Sequence, residues 1–449
     1  MILPYKISTT KDKITARAGL VVVGEMLNRL NFDELVDEHF PQPGSNRGYC
    51  PSLFVKTFIL MHHTGAFRLD DVELLEQDHV LKGLLGVNSF PKAHTLGGWL
   101  RRTSRDMGNH GPWLELNQPL IKASFGKRKD ATLDIDASEI VSNKTSAQWT
   151  YKNNKGFMPM VGHLAETGHV VAVEFRKGSE PPNKNNLEFI EQAERSMPVG
   201  IKITRLRGDA AAYQTNIIKH CDSHDIQFAI RAKKSPNMVE TMTSYPEQYW
   251  SPMLGKDNHP IKGIDVCRTS HCIGDYEQAF TLVLQRTRID SKPSESAQME
   301  FGFAQTGGAD EYNDGVYIYR AIASNRDDLS DSEIIHWYNQ RAEDSENRIK
   351  ELKRDFGGET LPCSDFQANE LYFLLTALSY NLFATMRNEY PQHFGRHRVK
   401  KIRNYVYCLA GKLVKSSRKT ILRLSQHAAK LLAAVVGDIR QFKPPAPAT

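Results

Sequence analysis

An α/β fold, with a mixed β-sheet layered by helices and two largely helical flanking regions, is what three features of this 449-residue chain predict. Apolar residues recur at helical spacing up to residue 125, the period switches to strand-like alternation at Ala131, and an almost continuously apolar helix returns at Phe366. The chain's 40% hydrophobic and 24% charged content is that of a globular protein able to bury a large core. No apolar run reaches the roughly 18 residues a membrane span needs. The N-terminal MILPYKISTTKDK has no signal-peptide core, so a cytoplasmic protein without a membrane partner is expected. The six cysteines are scattered without a CxxC pair, and Cys267, His271 and Cys272 lack the second half of a zinc site.

Taken in order, residues 1–125 form a helical region. Val21, Val22, Met26, Leu27 and Leu30 mark one helix, and residues 32–39, 53–62 and 70–85 mark others. Residues 92–102, KAHTLGGWLRR, resemble the second helix of a helix-turn-helix, with two closing arginines that suit DNA. From 126 to 234 the pattern is that of a sheet core. Leu133 and Ile135 fall on one face of a first strand, and Thr132, Asp134 and Asp136 on the other. Strands at 158–164 and 169–175 make a hairpin, a helix spans 185–196, a fourth strand spans 201–206, a helix spans 213–224, and a fifth strand spans 228–232. An antiparallel start with a parallel finish fits a ribonuclease-H-like core. Residues 235–329 turn to Pro, Ser, Thr, Asp and aromatics, with strands at 264–268, 278–288 and 316–323, and read as a β-rich insertion. The core's second part, 330–390, opens with Ser330 and Glu333 as a capping box before a long helix. Residues 391–449 form a basic helical C-terminal region and tail.

Three carboxylates stand at comparable places: Asp136 and Asp209 at strand ends, and Glu346 on the helix after the insertion. Such hard oxygen donors suit Mg²⁺, with Mn²⁺ able to substitute, and two ions about 3.5–4 Å apart activate an attacking hydroxyl and stabilise a leaving oxygen at a phosphodiester. Asp134 shares the strand face of Asp136, so the pattern alone leaves open which of the two would bind metal. Glu346, Lys350 and Lys353 fall on one side of the helix. The chain carries a net charge of +6, and between Pro391 and Lys430 lie eleven Lys/Arg without an Asp or Glu, including Arg396, Arg398, Lys400, Lys401 and Arg403. A block of one sign suits the phosphates of double-stranded DNA.

Four segments in order, LDIDAS at 133–138, RGDAAAY at 207–213, YNQRAEDSENRIKELK at 338–353 and FQANELYFLLTALSYNLF at 366–383, resemble the DDE transposases of bacterial insertion sequences, in the branch with a β-strand insertion and a Tyr-Arg-Glu-Lys signature. The resemblance runs from Gly19 to Arg423. It implies that Asp136, Asp209 and Glu346 form a metal-binding triad and that Tyr338, Arg341 and Lys353 contact the transposon end. It also implies metal-dependent cleavage at element ends followed by 3′-hydroxyl strand transfer, and a homodimer acting on terminal inverted repeats and target DNA. The rival readings are a stand-alone nuclease of the same fold and a catalytically silent DNA-binding protein. One departure concerns spacing. Four residues, 342–345, separate Arg341 from Glu346 where the family pattern has three, which predicts a π-bulge or break at 342–345.

Overall fold

The computed structural model describes residues 7–45, 47–107, 110–289, 310–390, 395, 397–416 and 419–444, and the side chains of all of these except 342–346. The chain forms two compact units, Met1–Ala123 with Glu351–Pro447, and Ser124–Lys350.

The first unit opens with α1 (Val21–Arg29), α2 (Phe32–His39) and α3 (Pro51–Thr64). The helix-turn-helix-like segment lies in α4 (Ala93–Asp106), which buries Leu96, Trp99 and Leu100 and leaves Arg101 and Arg102 exposed. Trp99 stacks on Phe54 of α3 with ring centroids 4.9 Å apart. Tandem glycines at 97 and 98 do not break α4, because the aromatic anchor outweighs their propensity cost of ~1 kcal/mol each.

The second unit is built on one large sheet. Its first five strands are β1 (Asp130–Ala137), β2 (Met160–Leu164), β3 (Val170–Glu174), β4 (Lys202–Gly208) and β5 (Gln227–Arg231). They lie in the order β3-β2-β1-β4-β5, with β1, β4 and β5 parallel and β2 antiparallel to both its neighbours. This is the ribonuclease-H-like order. Helices α5 (Asn186–Arg195) and α6 (Thr215–Ser223) make the crossovers into β4 and β5. The insertion supplies β6 (Ser251–Leu254), β7 (Pro260–Ile273), β8 (Tyr276–Arg288) and β9 (Tyr317–Ser324). These strands continue the core sheet: Ile322, Ala323 and Ser324 of β9 pair with Arg231, Ile230 and Ala229 of β5. The insertion therefore covers an edge that β5 would otherwise expose. Helix α7 (Asp331–Lys350) packs Ile334, Ile335 and Tyr338 onto Ala229, Val266, Val283 and Ile322. Trp250, in the insertion, lies 4.5 Å from the Arg286 guanidinium, and Arg286 also pairs with Glu247 and Asp265.

The C-terminal part of the first unit centres on α8 (Phe366–Met386), buried along nearly its whole length. Several of its polar side chains find partners inside the unit. Thr376 and Ser379 donate to the carbonyls four residues back, Asn381 donates to Asn117 at 2.5 Å, and Trp113 donates to the Leu374 carbonyl. No helix among the described residues is long and apolar enough to cross a membrane. The last region is not helical throughout. Gly411–Ser416 and Lys419–Arg423 pair as a hairpin, with Ile14–Thr15 on the other side of the first strand.

Two buried histidines of α3 add a pH dependence. His63 Nε2 donates to the Ser379 carbonyl at 3.2 Å and Nδ1 accepts from Tyr407 at 3.0 Å, while His62 Nδ1 lies 2.9 Å from the Ser379 hydroxyl. Burial first, with the Arg403 charge nearby, pushes both imidazoles down to about 3. Because the folded value lies below the unfolded one, the stabilisation is complete above pH 6.5 and is lost as pH falls towards 3, by roughly 1.4 kcal/mol per pH unit for each histidine. The urea midpoint is expected to drop steeply between pH 6 and pH 4, and His62→Phe to reduce that slope. A midpoint indifferent to pH in this window would contradict the buried neutral pair.

Candidate metal centre

The period-two pattern of β1 places Thr132, Asp134 and Asp136 on the sheet face that α7 covers, and β4 sets Arg205 and Arg207 beside them. Asp134 is fully buried and Arg207 is 2% exposed. Their register makes them direct neighbours, and Arg207 holds both Asp134 oxygens, Nε to Oδ1 at 2.7 Å and Nη2 to Oδ2 at 2.8 Å. Arg207 Nη1 also donates to the Trp337 carbonyl of α7 at 2.7 Å. Asp134 is thus fully engaged by its partner.

Beyond that pair, Asp136 near the end of β1 and Asp209 just after β4 lie close enough for their charges to interact. Asp136 retains 30% exposure and accepts from Arg341 Nη2 at 3.0 Å through Oδ1. Arg341 is buried and donates also to the Ile135 carbonyl at 2.8 Å. Asp209 caps the short turn Ala210–Ala212, its Oδ1 accepting from the Ala211 amide at 2.9 Å. Burial, opposed by Arg341 but reinforced by the Asp209 charge, pushes the Asp136 carboxyl up to about 6. Burial likewise disfavours the Arg341 charge, yet Asp136 and, more weakly, Asp209 hold its pKa above the usual guanidinium value.

The remaining expected residues are distributed unevenly. Ser330 and Glu333 cap α7 reciprocally, at 2.8 Å and 3.4 Å. The helix is α-helical without interruption from Asp331 to Lys350, so the bulge expected at 342–345 is absent. The wider π-helical turn comes later, at Glu351–Asp355, where Glu351, Leu352 and Asp355 are buried. Arg341 needs no bulge, because from its own turn it reaches Asp136. The side chain of Glu346 lies outside the described residues, as does Arg396. Tyr338 is 5% exposed within the cluster that seats α7, a packing position and not a surface one. Lys350 is exposed, and Lys353 is half-buried in the π-helical turn. In the first unit Arg398 is bound to Asp355 at 2.7 Å, and Arg403 is bound to the carbonyls of His62 and His63, while Lys400 and Lys401 are exposed.

A family model described as transposase DDE domain, group 1, matches residues 5–444. The chain belongs to this transposase family. It is also similar to a solved piggyBac transposase, seen in a synaptic complex with hairpin DNA, at 9% identity and a TM-score of 0.40 over 98% of this chain and 86% of that one. No curated protein matches it.

In this transposase the donors present fit a hard divalent cation. Asp136 and Asp209 each use one oxygen in the hydrogen bonds above and keep the other without one among the described residues. Burial, reinforced by the Asp209 charge, raises the proton affinity of Asp136, which a cation would relieve. Among the described residues no group of three His, Cys, Asp or Glu converges, so a site here would have two carboxylates among them. Sequence reasoning missed Arg207 as the partner of Asp134. The available signal was the charge at every second position of both strands, Asp134 and Asp136 against Arg205 and Arg207.

Proposed function

We propose that this transposase excises and inserts an insertion sequence, hydrolysing the phosphodiester at the element ends and then joining the freed 3′-hydroxyl to target DNA. The observation that supports this most is the proximity of Asp136 and Asp209 at the ends of adjoining strands while Asp134 is sequestered by Arg207. Asp136, Asp209 and Glu346 would hold Mg²⁺, or Mn²⁺ in its place. When bound there, the metal supplies activation of the attacking hydroxyl and neutralisation of the leaving oxygen. Arg341 fixes the rotamer of Asp136, and Lys350, Lys353, Lys400 and Lys401 meet DNA phosphates as point charges. The active species in this reading is a homodimer on terminal inverted repeats in the bacterial cytoplasm.

The test uses the purified full chain with a duplex bearing the DNA that flanks its gene. Mg²⁺-dependent cleavage together with strand-transfer products from pre-cleaved ends is expected. Cleavage without joining would make it a nuclease, and binding with neither reaction would make it a silent DNA-binding protein.

A further inference from the structure

The connection between β1 and β2 is a structured arm. Ile140–Val141, Gln148–Trp149 and Lys155–Phe157 form a small three-stranded sheet that leaves β1 just after Asp136 and Ala137 and returns to β2, where Val161 and Met160 are their cross-strand partners. Its base is rigid. Thr150 is buried and donates to Glu139, Asn154 donates to Glu139 at 3.1 Å, and any side chain at Gly156 would collide with the Ile140 carbonyl. Asn153 takes the left-handed conformation, φ 60°, that closes the tip. On this fixed frame Trp149 is 69% exposed and Tyr151 59% exposed, and no ring of the described residues packs on either. Lys155 is the cross-strand partner of Trp149, and the Lys152 ammonium lies 5.5 Å from the Tyr151 ring. Lys152 is also near enough to Asp136 to influence its charge. Large aromatics held out in water by a braced hairpin and interleaved with lysines are costly unless something covers them.

We infer that this arm is a stacking platform for unpaired bases of a DNA strand entering the Asp136–Asp209 site, with Trp149 and Tyr151 meeting base faces and Lys152 and Lys155 the flanking phosphates. The inference rests on the DNA-processing reading above and adds the element that receives the strand and the unpaired state of its bases. Stacking is tolerant of sequence because every base presents a π face. A second copy of the chain is the competing occupant; the lysines beside both rings favour a polyanion.

The test measures binding of the full chain to an oligothymidylate, to a blunt duplex and to the same duplex with an oligothymidylate tail, by fluorescence anisotropy. Trp149→Ala and Tyr151→Ala should each weaken binding to the oligothymidylate and the tailed duplex about five-fold or more, with the blunt duplex held within about two-fold. Trp149→Phe should retain most of the affinity. Lys152→Gln should lower the salt slope for the single strand by about 0.7. Both aromatics are exposed, so unchanged thermal unfolding is expected of the variants and checks that they fold. Unchanged affinity for the tailed duplex in both alanine variants overturns the inference and leaves the DNA reading standing. Variants that alter sedimentation but not oligonucleotide binding assign the arm to self-association and overturn it as well. A wild-type chain that binds none of the three probes removes the DNA reading itself, and the inference with it.

Discussion

Asp134→Ala should lower the stability of the Ser124–Lys350 unit by about 3–5 kcal/mol, the cost of leaving a buried charge without its partner. Arg207 is 2% exposed, and with Asp134 gone its guanidinium would keep the bond to the Trp337 carbonyl but face an empty, desolvated position between β1 and β4. Arg207→Met should cost as much, since it leaves the carboxylate buried and also unties α7 at Trp337. The double variant Asp134→Leu, Arg207→Met should recover most of the loss, because two apolar groups of similar volume remove both desolvation penalties together. Urea unfolding of wild type, Asp134→Leu, Arg207→Met and the double variant gives the cycle, with Asp134→Ala measured beside it. Single variants within about 1 kcal/mol of wild type would contradict a pair that depends on mutual neutralisation.

Legibility in the sequence followed how local each determinant is. Helices Phe32–His39 and Phe366–Met386 were readable to the residue, because their burial is written as an uninterrupted apolar period. The ribonuclease-H-like order was readable because each strand alternates and each connection has its own turn residues. What could not be read is pairing at a distance. Alternation puts Asp134 and Asp136 on one face without saying which is free; the decision belongs to Arg207, 73 residues away, through strand register. The basic block looked uniform, yet Arg398 is committed to Asp355, 43 residues before it, and Arg403 to backbone carbonyls of α3. The insertion looked like a separate element because the pairing of β9 with β5 leaves no local trace. The extra residue between Arg341 and Glu346 marks no break, because the helix runs on through 342–345; the irregular turn lies beyond Glu346, at Glu351–Asp355, and the spacing does not foretell it.

Asp136→Asn should separate stability from activity, in opposite directions. The folded carboxyl titrates near 6, above its ordinary value of 3.8, so its favourable contribution is present below pH 3.8 and lost as pH rises through 6. At pH 7.5 the ionised group works against the metal-free fold by up to ~3 kcal/mol, and with 30% of the side chain exposed, solvent screening reduces this to ~2 kcal/mol. Asparagine keeps the shape of the neutral acid and an oxygen for Arg341 but carries no charge towards Asp209. The metal-free variant should therefore melt several degrees higher than wild type at pH 7.5, about 4–8 °C, and show no such difference at pH 4. Cleavage in Mg²⁺ should fall by about a thousand-fold or more if Asp136 holds the metal, because the metal it would hold stabilises the charge on the leaving oxygen by several kcal/mol. Added Mg²⁺ should raise the melting temperature of wild type and leave Asp136→Asn nearly unmoved, since a neutral amide competes poorly with water for a hard cation. Asp209→Asn should repeat the loss of cleavage. An Asp136→Asn protein that still cleaves would move the site to other residues, whereas one that is less stable at pH 7.5 would mean that the Arg341 contact outweighs the repulsion from Asp209.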